Sequence, residues 1–167
     1  MLLKVSIAGM TMDPASNTPI IILKSETDDR ALPIWIGLLE ATSIASALQS
    51  IKFDRPMTHD LFKNFMDHIS ISVSKIEVCD IKDNTFYARI HFVSKDKNFS
   101  MDARPSDAIA VALRFDAPIY VDDKVMEQSK IVTGETDGEA IDKSQEGKKW
   151  TEYLEKLSPD DFGKFKV

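Results

Sequence analysis

One cysteine, Cys79, stands among 167 residues, so the chain can close no internal disulfide and build no cysteine-rich metal knuckle. Basic residues are the minority, 21 Lys and Arg against 27 Asp and Glu, which gives a net charge of −6. That balance argues against a surface that attracts nucleic acid everywhere, although an enzyme needs only one cleft of the right sign. No apolar run approaches the roughly 20 residues of a membrane span. The start, MLLKVSIAGM, carries Lys4 and lacks the long apolar stretch of a secretory signal. P-loop, GxGxxG and HExxH patterns are missing, as is an RNA-recognition signature with stacked aromatics. DFG at 161 to 163 has neither a glycine-rich loop nor an HRD stretch to make it kinase-like. These absences lead us to expect a cytoplasmic protein with no membrane segment.

What is present is one domain's worth of chain, with 43% hydrophobic and 29% charged residues. Residues 2 to 9 and 19 to 24 read as strands across the turn-rich DPASNT, and Leu32, Ile34 and Ile36 alternate as in a strand with one buried face. From Glu40 to Ile51 the spacing turns helical, with Ala41, Ile44, Ala45, Leu48 and Ile51 on one side. A second helix is predicted over 58 to 68. Residues 72 to 81 and 85 to 94 form a hairpin around Asp83-Asn84, a pair suited to a tight turn. FSMDA then leads to a helix over 106 to 115, a short strand over 118 to 121, and a last helical turn or two over 122 to 130. IASAL at 44 to 48 and IAVAL at 109 to 113 each follow two strands and a turn, at an offset of 65 residues from Leu48 to Leu113. The expected fold is α+β, a mixed or antiparallel sheet with packed helices, built from a duplicated strand–strand–helix unit about a pseudo-twofold axis. Residues 1–130 form this domain, 131–149 a polar linker, and 150–167 a docking helix (WTEYLEKL) and tail that rests on the domain or on a neighbouring subunit of a homo-oligomer.

Two stretches, RPMTHD at 55 to 60 and DARPSDAIAVALR at 102 to 114, gather the polar chemistry. Proline keeps Arg55 and Arg104 out of the helical region. Thr58 and Ser106 are then suited to cap the following helices, with Asp60 and Asp107 in the favourable first turn. Capping alone explains these residues. The same geometry also serves chemistry: helix N-termini and an arginine fork hold phosphate, and Glu40, Asp60, Asp102 and Asp107 are oxygen ligands for a divalent metal such as Mg²⁺. His59 is a general acid or base. His68 and His91 read as structural, and Cys79 as packing.

LPIWIGLLEA (32–41), RPMTHDL (55–61), DNTFYARI (83–90), DARPSDAIAVALR (102–114) and APIYV (117–121) together resemble the bifunctional nuclease family, over about residues 1 to 130. The resemblance implies an α+β domain that hydrolyses phosphodiester bonds in DNA and RNA. The family's motif residues fall on Glu40, Arg55, His59, Asp60, Asp102, Arg104 and Asp107. The roles expected are His59, Asp60 and Asp107 in catalysis, Arg55 and Arg104 on phosphate, and Glu40 and Asp102 on a metal. Two alternatives stay open: a non-catalytic binding or assembly module in which both Arg-Pro segments are joints, favoured by the acidic balance, and a binder of phosphate-containing small molecules.

Overall fold

The computed structural model describes residues 1–133. The expected docking helix, and the linker beyond residue 133, lie outside them.

The first half is a meander, β1 (Leu2–Met12), β2 (Pro19–Ser25) and β3 (Ala31–Trp35), followed by α1 (Leu38–Leu48) and α2 (Thr58–His68). The second half repeats the theme as β4 (Ser72–Lys82), β5 (Thr85–Val93), β6 (Asn98–Ala103) and α3 (Pro105–Phe115), and closes with β7 (Ile119–Asp122) and α4 (Asp123–Thr133). The hairpin between β4 and β5 turns on Asp83 and Asn84, both at positive φ (48° and 59°), the backbone that a two-residue turn of the right twist demands.

All seven strands form one sheet in the order β3-β2-β1-β7-β4-β5-β6. β7 pairs antiparallel to β1 and parallel to β4. β1 and β4 therefore run in opposite directions, and each meander extends outward from the centre, as a twofold axis normal to the sheet requires. The two helix starts, Leu38 and Pro105, are 67 residues apart. The IASAL/IAVAL offset of 65 is thus two residues short of the offset between helix starts, because the apolar face begins at a different point in each helix.

Alternation sets the faces. Ile76 and Val78 of β4, Ala88, Ile90 and Phe92 of β5 and Val121 of β7 point inward and are almost fully buried. They join Ile44 of α1, Met66 of α2, Ala108 to Ala112 of α3 and Met126 of α4 in one core. Phe92 meets Phe62 of α2 edge-on at 6.4 Å and stacks on Phe99 at 5.0 Å. The opposite side of β4, β5 and β7 carries Lys75, Glu77, Tyr120 and His91, paired among themselves. Cys79 sits half-buried in β4, where burial raises its thiol pKa and its Sγ–H reaches the Tyr87 carbonyl at 3.6 Å; it is a packing residue.

Several boundaries differ from the sequence expectation. α1 starts at Leu38 and ends at Leu48, so Ile51 leaves the helix and is half exposed; Ser50 at φ 54° turns the chain away. The N-caps are Met57 and Arg104, not Thr58 and Ser106. Pro105, with no N–H to lose, takes the first helical position of α3 and pushes the cap back onto Arg104. α4 is a full eleven residues.

Candidate functional site

Each half of the fold ends its meander at a helix N-terminus. Gly37 caps α1 and Arg104 caps α3, so Glu40 and Asp107 occupy the same third position in the two helices. α1 and α3 pack against one another, which brings these two acids to opposite sides of one guanidinium. Arg104 Nη2 donates to Glu40 Oε1 at 2.6 Å, and its Nε donates to Asp107 Oδ2 at 2.7 Å. Glu40 folds back over Gly37; a Cβ at that position would lie 2.1 Å from Glu40 Oε2, so glycine leaves the space the carboxylate uses.

The other oxygen of Asp107 takes up the histidine. His59, in the first turn of α2, places Nε2 3.0 Å from Asp107 Oδ1, and its Nδ1 lies 2.8 Å from Ser43 Oγ of α1. Burial disfavours charge on Asp107, but the hydrogen bonds from Arg104 and His59 outweigh it and hold the carboxyl below its ordinary range. Asp107 is thus a carboxylate, which only accepts, so Nε2 carries a proton; in the neutral form of the ring Nδ1 then accepts from the Ser43 hydroxyl.

Asp60 belongs to an adjoining pair. Its Oδ1 accepts from Arg114 Nε at 2.6 Å, and its Oδ2 accepts from the Met57 backbone N–H at 3.0 Å. Burial again works against the charge, and the Arg114 and Met57 bonds again prevail, so this carboxyl is also lowered. Arg114 is only 8% exposed and also donates to the carbonyls of Ala110 and Ser43. Ser43 therefore joins the two networks, with its hydroxyl in one and its carbonyl in the other.

Of the residues singled out from the sequence, Glu40, His59, Arg104 and Asp107 converge. Asp60 lies beside them, committed to Arg114. Arg55 sits exposed in the segment before α2 and makes no hydrogen bond or ion pair with any described residue. Asp102 is not part of the cluster. Phe99 stacks on the core residue Phe92, so Phe99, Met101 and Ala103 share the inner face and Asp102, exposed, stands on the outer one. The sequence reading missed Ser43 and Arg114. The apolar alternation of β6 carried the signal that Asp102 faces away; no spacing marked Ser43.

Beside the cluster runs an open groove of about 490 Å³ between the two halves. Trp35 at the end of β3, Gly37, Asn84 of the β4–β5 turn with Thr85 and Phe86 at the start of β5, and Arg104 with Ser106 line it. Trp35 is half exposed, its indole N–H held at 3.0 Å by Asp13. The groove thus combines an aromatic residue, Trp35, with Arg104, the member of the cluster that lines it.

The donor set fits a resident divalent ion poorly. Among the described residues no group of three His, Cys, Asp or Glu side chains is placed to hold one, and Glu40 Oε1 and Asp107 Oδ2 already share Arg104. Nor is any helix among the described residues long and apolar enough to cross a membrane.

Comparison with known proteins gives this arrangement a family. The model of the bifunctional nuclease domain matches residues 21–134, more than half of the chain. An uncharacterized protein of Mycobacterium tuberculosis is 38% identical over 162 residues, covering 95% of this chain and 97% of that one. Bifunctional nuclease 1 of Arabidopsis thaliana is 32% identical over 129 residues, 69% of this chain but 39% of the plant protein. Bifunctional nuclease 1 of Oryza sativa subsp. indica is 24% identical over 116 residues, 68% of this chain and 35% of its own. The chain spans little more than a third of these plant relatives and nearly all of the mycobacterial one. With its half-to-half cluster and a family match that runs from β2 to the end of α4, the chain belongs to the bifunctional nuclease domain family.

Proposed function

We propose that the chain is a nuclease that hydrolyses phosphodiester bonds in DNA and RNA at the Glu40–Arg104–Asp107–His59 cluster. The observation that carries this reading is the convergence, on one arginine and one histidine, of residues from both halves of the fold beside an open groove. Arg104 is two-thirds exposed, and its Nη1 group is not engaged by any described residue, so it can present N–H donors to a phosphate oxygen while Nε and Nη2 hold its carboxylates. Trp35 provides a stacking face for a base, which is tolerant of sequence and of sugar. His59, oriented by Asp107, moves the proton. Arg55, exposed and without an ion pair among the described residues, gathers the flanking backbone. Asp60 holds α2, and so His59, against α3.

The test is a nuclease assay on purified full-length chain with single-stranded and duplex DNA and RNA, with and without chelator, beside a His59→Ala/Asp107→Ala double variant. Cleavage lost in the double variant supports the site. Cleavage that survives it refutes the site. Loss with chelator alone would show that a divalent ion such as Mg²⁺, arriving with the nucleic acid phosphates, takes part.

One observation favours a second reading, a non-catalytic binding or assembly module in which the Arg-Pro segments are joints. Glu40 and Asp107 both pair with Arg104 and together outweigh it in charge, so a phosphate must compete with both. Such a protein would hold its two halves together through this cluster and cleave nothing.

We further propose that the chain self-associates through α2 and acts as a soluble homo-oligomer in a reducing, cytoplasmic setting. Leu61, Phe65 and Ile69, at successive turns, are exposed by 59%, 57% and 44%, with Met57 and Phe53 exposed nearby. Contiguous apolar surface of this kind marks an interface. Sedimentation of wild type against Leu61→Glu/Phe65→Glu reads the state directly; an unchanged mass rejects this interface.

A further inference from the structure

Ser43 is not an acid, a base or a cation, and no spacing in the sequence draws attention to it. In the structure it completes a line: Asp107 Oδ1 to His59 Nε2 at 3.0 Å, then His59 Nδ1 to Ser43 Oγ at 2.8 Å. Each member comes from a different helix, so no local turn forces the contact. A carboxylate that fixes a histidine tautomer, and a histidine whose free nitrogen receives a hydroxyl proton, are the parts of an activated serine. The imidazole is turned end for end relative to the familiar hydrolase order, with the acid on Nε2 and the serine on Nδ1. Chemically the two orders are equivalent, because each nitrogen of the neutral ring can be donor or acceptor. Asp107 is itself held by Arg104 through its second oxygen, which fixes the orienting group as well.

We propose that Ser43 is the nucleophile of this site and that phosphodiester cleavage passes through a covalent phosphoserine ester. This rests on the nuclease reading above. In the first half, Ser43 Oγ bonds to phosphorus as its proton passes to His59 Nδ1; the bond from phosphorus to one ester oxygen breaks, and that oxygen takes a proton from solvent. Asp107 stabilises the imidazolium, and Arg104 faces the charge on the phosphoryl oxygens. In the second half, water adds to phosphorus opposite Oγ and gives a proton to solvent; the P–Oγ bond breaks, and His59 returns its proton to Ser43. The sum is diester plus water giving monoester plus alcohol, with no redox change and no group left on the protein.

A structural serine that only props up His59 would share the geometry but could not form the ester. The experiment therefore treats full-length wild-type protein with an alkyl fluorophosphonate, which phosphonylates activated serine hydroxyls, and locates the adduct by intact mass and peptide mapping. A parallel sample turning over a labelled oligonucleotide is quenched in acid to trap protein-bound label. The expected result is one adduct on Ser43, absent from Ser43→Ala and from His59→Gln, with cleavage in Ser43→Ala reduced roughly 10³-fold or more and a melting temperature close to wild type. Cleavage within a few-fold of wild type in Ser43→Ala overturns the proposal and leaves the nuclease reading standing. An adduct on Ser43 in a protein that cleaves no nucleic acid does the reverse: the nucleophile survives and the substrate class falls. No adduct on the wild-type protein, which needs no variant to fold, overturns it outright.

Discussion

Arg114→Met removes one guanidinium and keeps most of the side chain's length, and its effect can be worked out bond by bond. The native group is 8% exposed and makes three hydrogen bonds, to Asp60 at 2.6 Å, Ala110 at 2.9 Å and Ser43 at 3.3 Å. The two carbonyls lose little. Ser43 O also accepts from the Ser46 hydroxyl at 2.9 Å, and Ala110 O lies within the α3 ladder. What remains is the charge-assisted bond to Asp60, worth about 1.5–3 kcal/mol in general. Asp60 is 34% exposed, so water takes back part of the loss, and about 2 kcal/mol is the expected destabilisation. For a chain of this size that is a drop of roughly 4–8 °C in melting temperature.

The pH dependence has a definite sign. In the folded chain Asp60 titrates below 3.8, its ordinary value, because the Arg114 and Met57 hydrogen bonds outweigh the cost of burial. Its contribution is therefore complete above that value and is lost as pH falls through the folded pKa. Urea unfolding at pH 7 should separate wild type from Arg114→Met by the full amount, and the gap should narrow below pH 3.8. The same variant tests what Asp60 does. If Asp60 positions α2, cleavage falls together with stability and returns when the protein is assayed well below its new melting temperature. A variant as stable as wild type would refute the ion-pair argument. A variant of normal stability with no activity would put Asp60 into the chemistry.

The remaining predictions concern the cluster and the groove. Arg104→Lys keeps the charge but loses the fork that bridges Glu40 and Asp107; since Arg104 is 66% exposed, stability should move by no more than about 1 kcal/mol, while KM for an oligonucleotide rises about tenfold, and an unchanged KM would exclude Arg104 from phosphate binding. Trp35→Ala should weaken single-strand binding by about 1–3 kcal/mol, measured by fluorescence anisotropy; equal affinity would remove Trp35 from the binding surface. Gly37→Ala puts a methyl where Glu40 Oε2 now sits and should displace that carboxylate from Arg104. Orthophosphate binding should then tighten, by calorimetry, and unchanged binding would show that Glu40 does not compete with phosphate.

Much of this was legible in the residues, and the reasons differ by element. β5 announces itself because Phe86, Ala88, Ile90 and Phe92 alternate with polar side chains, and one strand face is enough to define a strand. The β4–β5 turn follows from Asp83-Asn84, whose side chains tolerate positive φ. β7 was visible as a strand, but nothing in IYV says that it runs between β1 and β4, parallel to one and antiparallel to the other. That placement comes from closing two meanders around a shared centre. In the site, the acids and arginines were readable because charge beside a helix start is conspicuous. Ser43 and Arg114 were not. A serine in mid-helix has the same local pattern whether its hydroxyl meets solvent or a histidine sixteen residues on, and only the packing of α1 on α2 and α3 decides which. Asp102 errs the other way: its charge suggested a ligand, while the parity of Phe99 and Met101 had already turned it to the outer face.

The duplication explains why one site arises from two equivalent helix starts. Glu40 and Asp107 hold the same third position, and each would favour a cation near its helix terminus. Two such acids brought together by a twofold axis would repel one another if nothing stood between them. The halves solve this by differing at the cap: the second supplies Arg104, the first Gly37. The arginine bonds both carboxylates, and the glycine makes room for the one that reaches across to it. Each acid keeps one oxygen that Arg104 does not take: Asp107 Oδ1 meets His59, because α2 packs against α3, while Glu40 Oε2 turns back over Gly37. The fold's symmetry thus gathers the charges, and the packing of α2 on α3 selects Asp107 over Glu40 to orient the histidine.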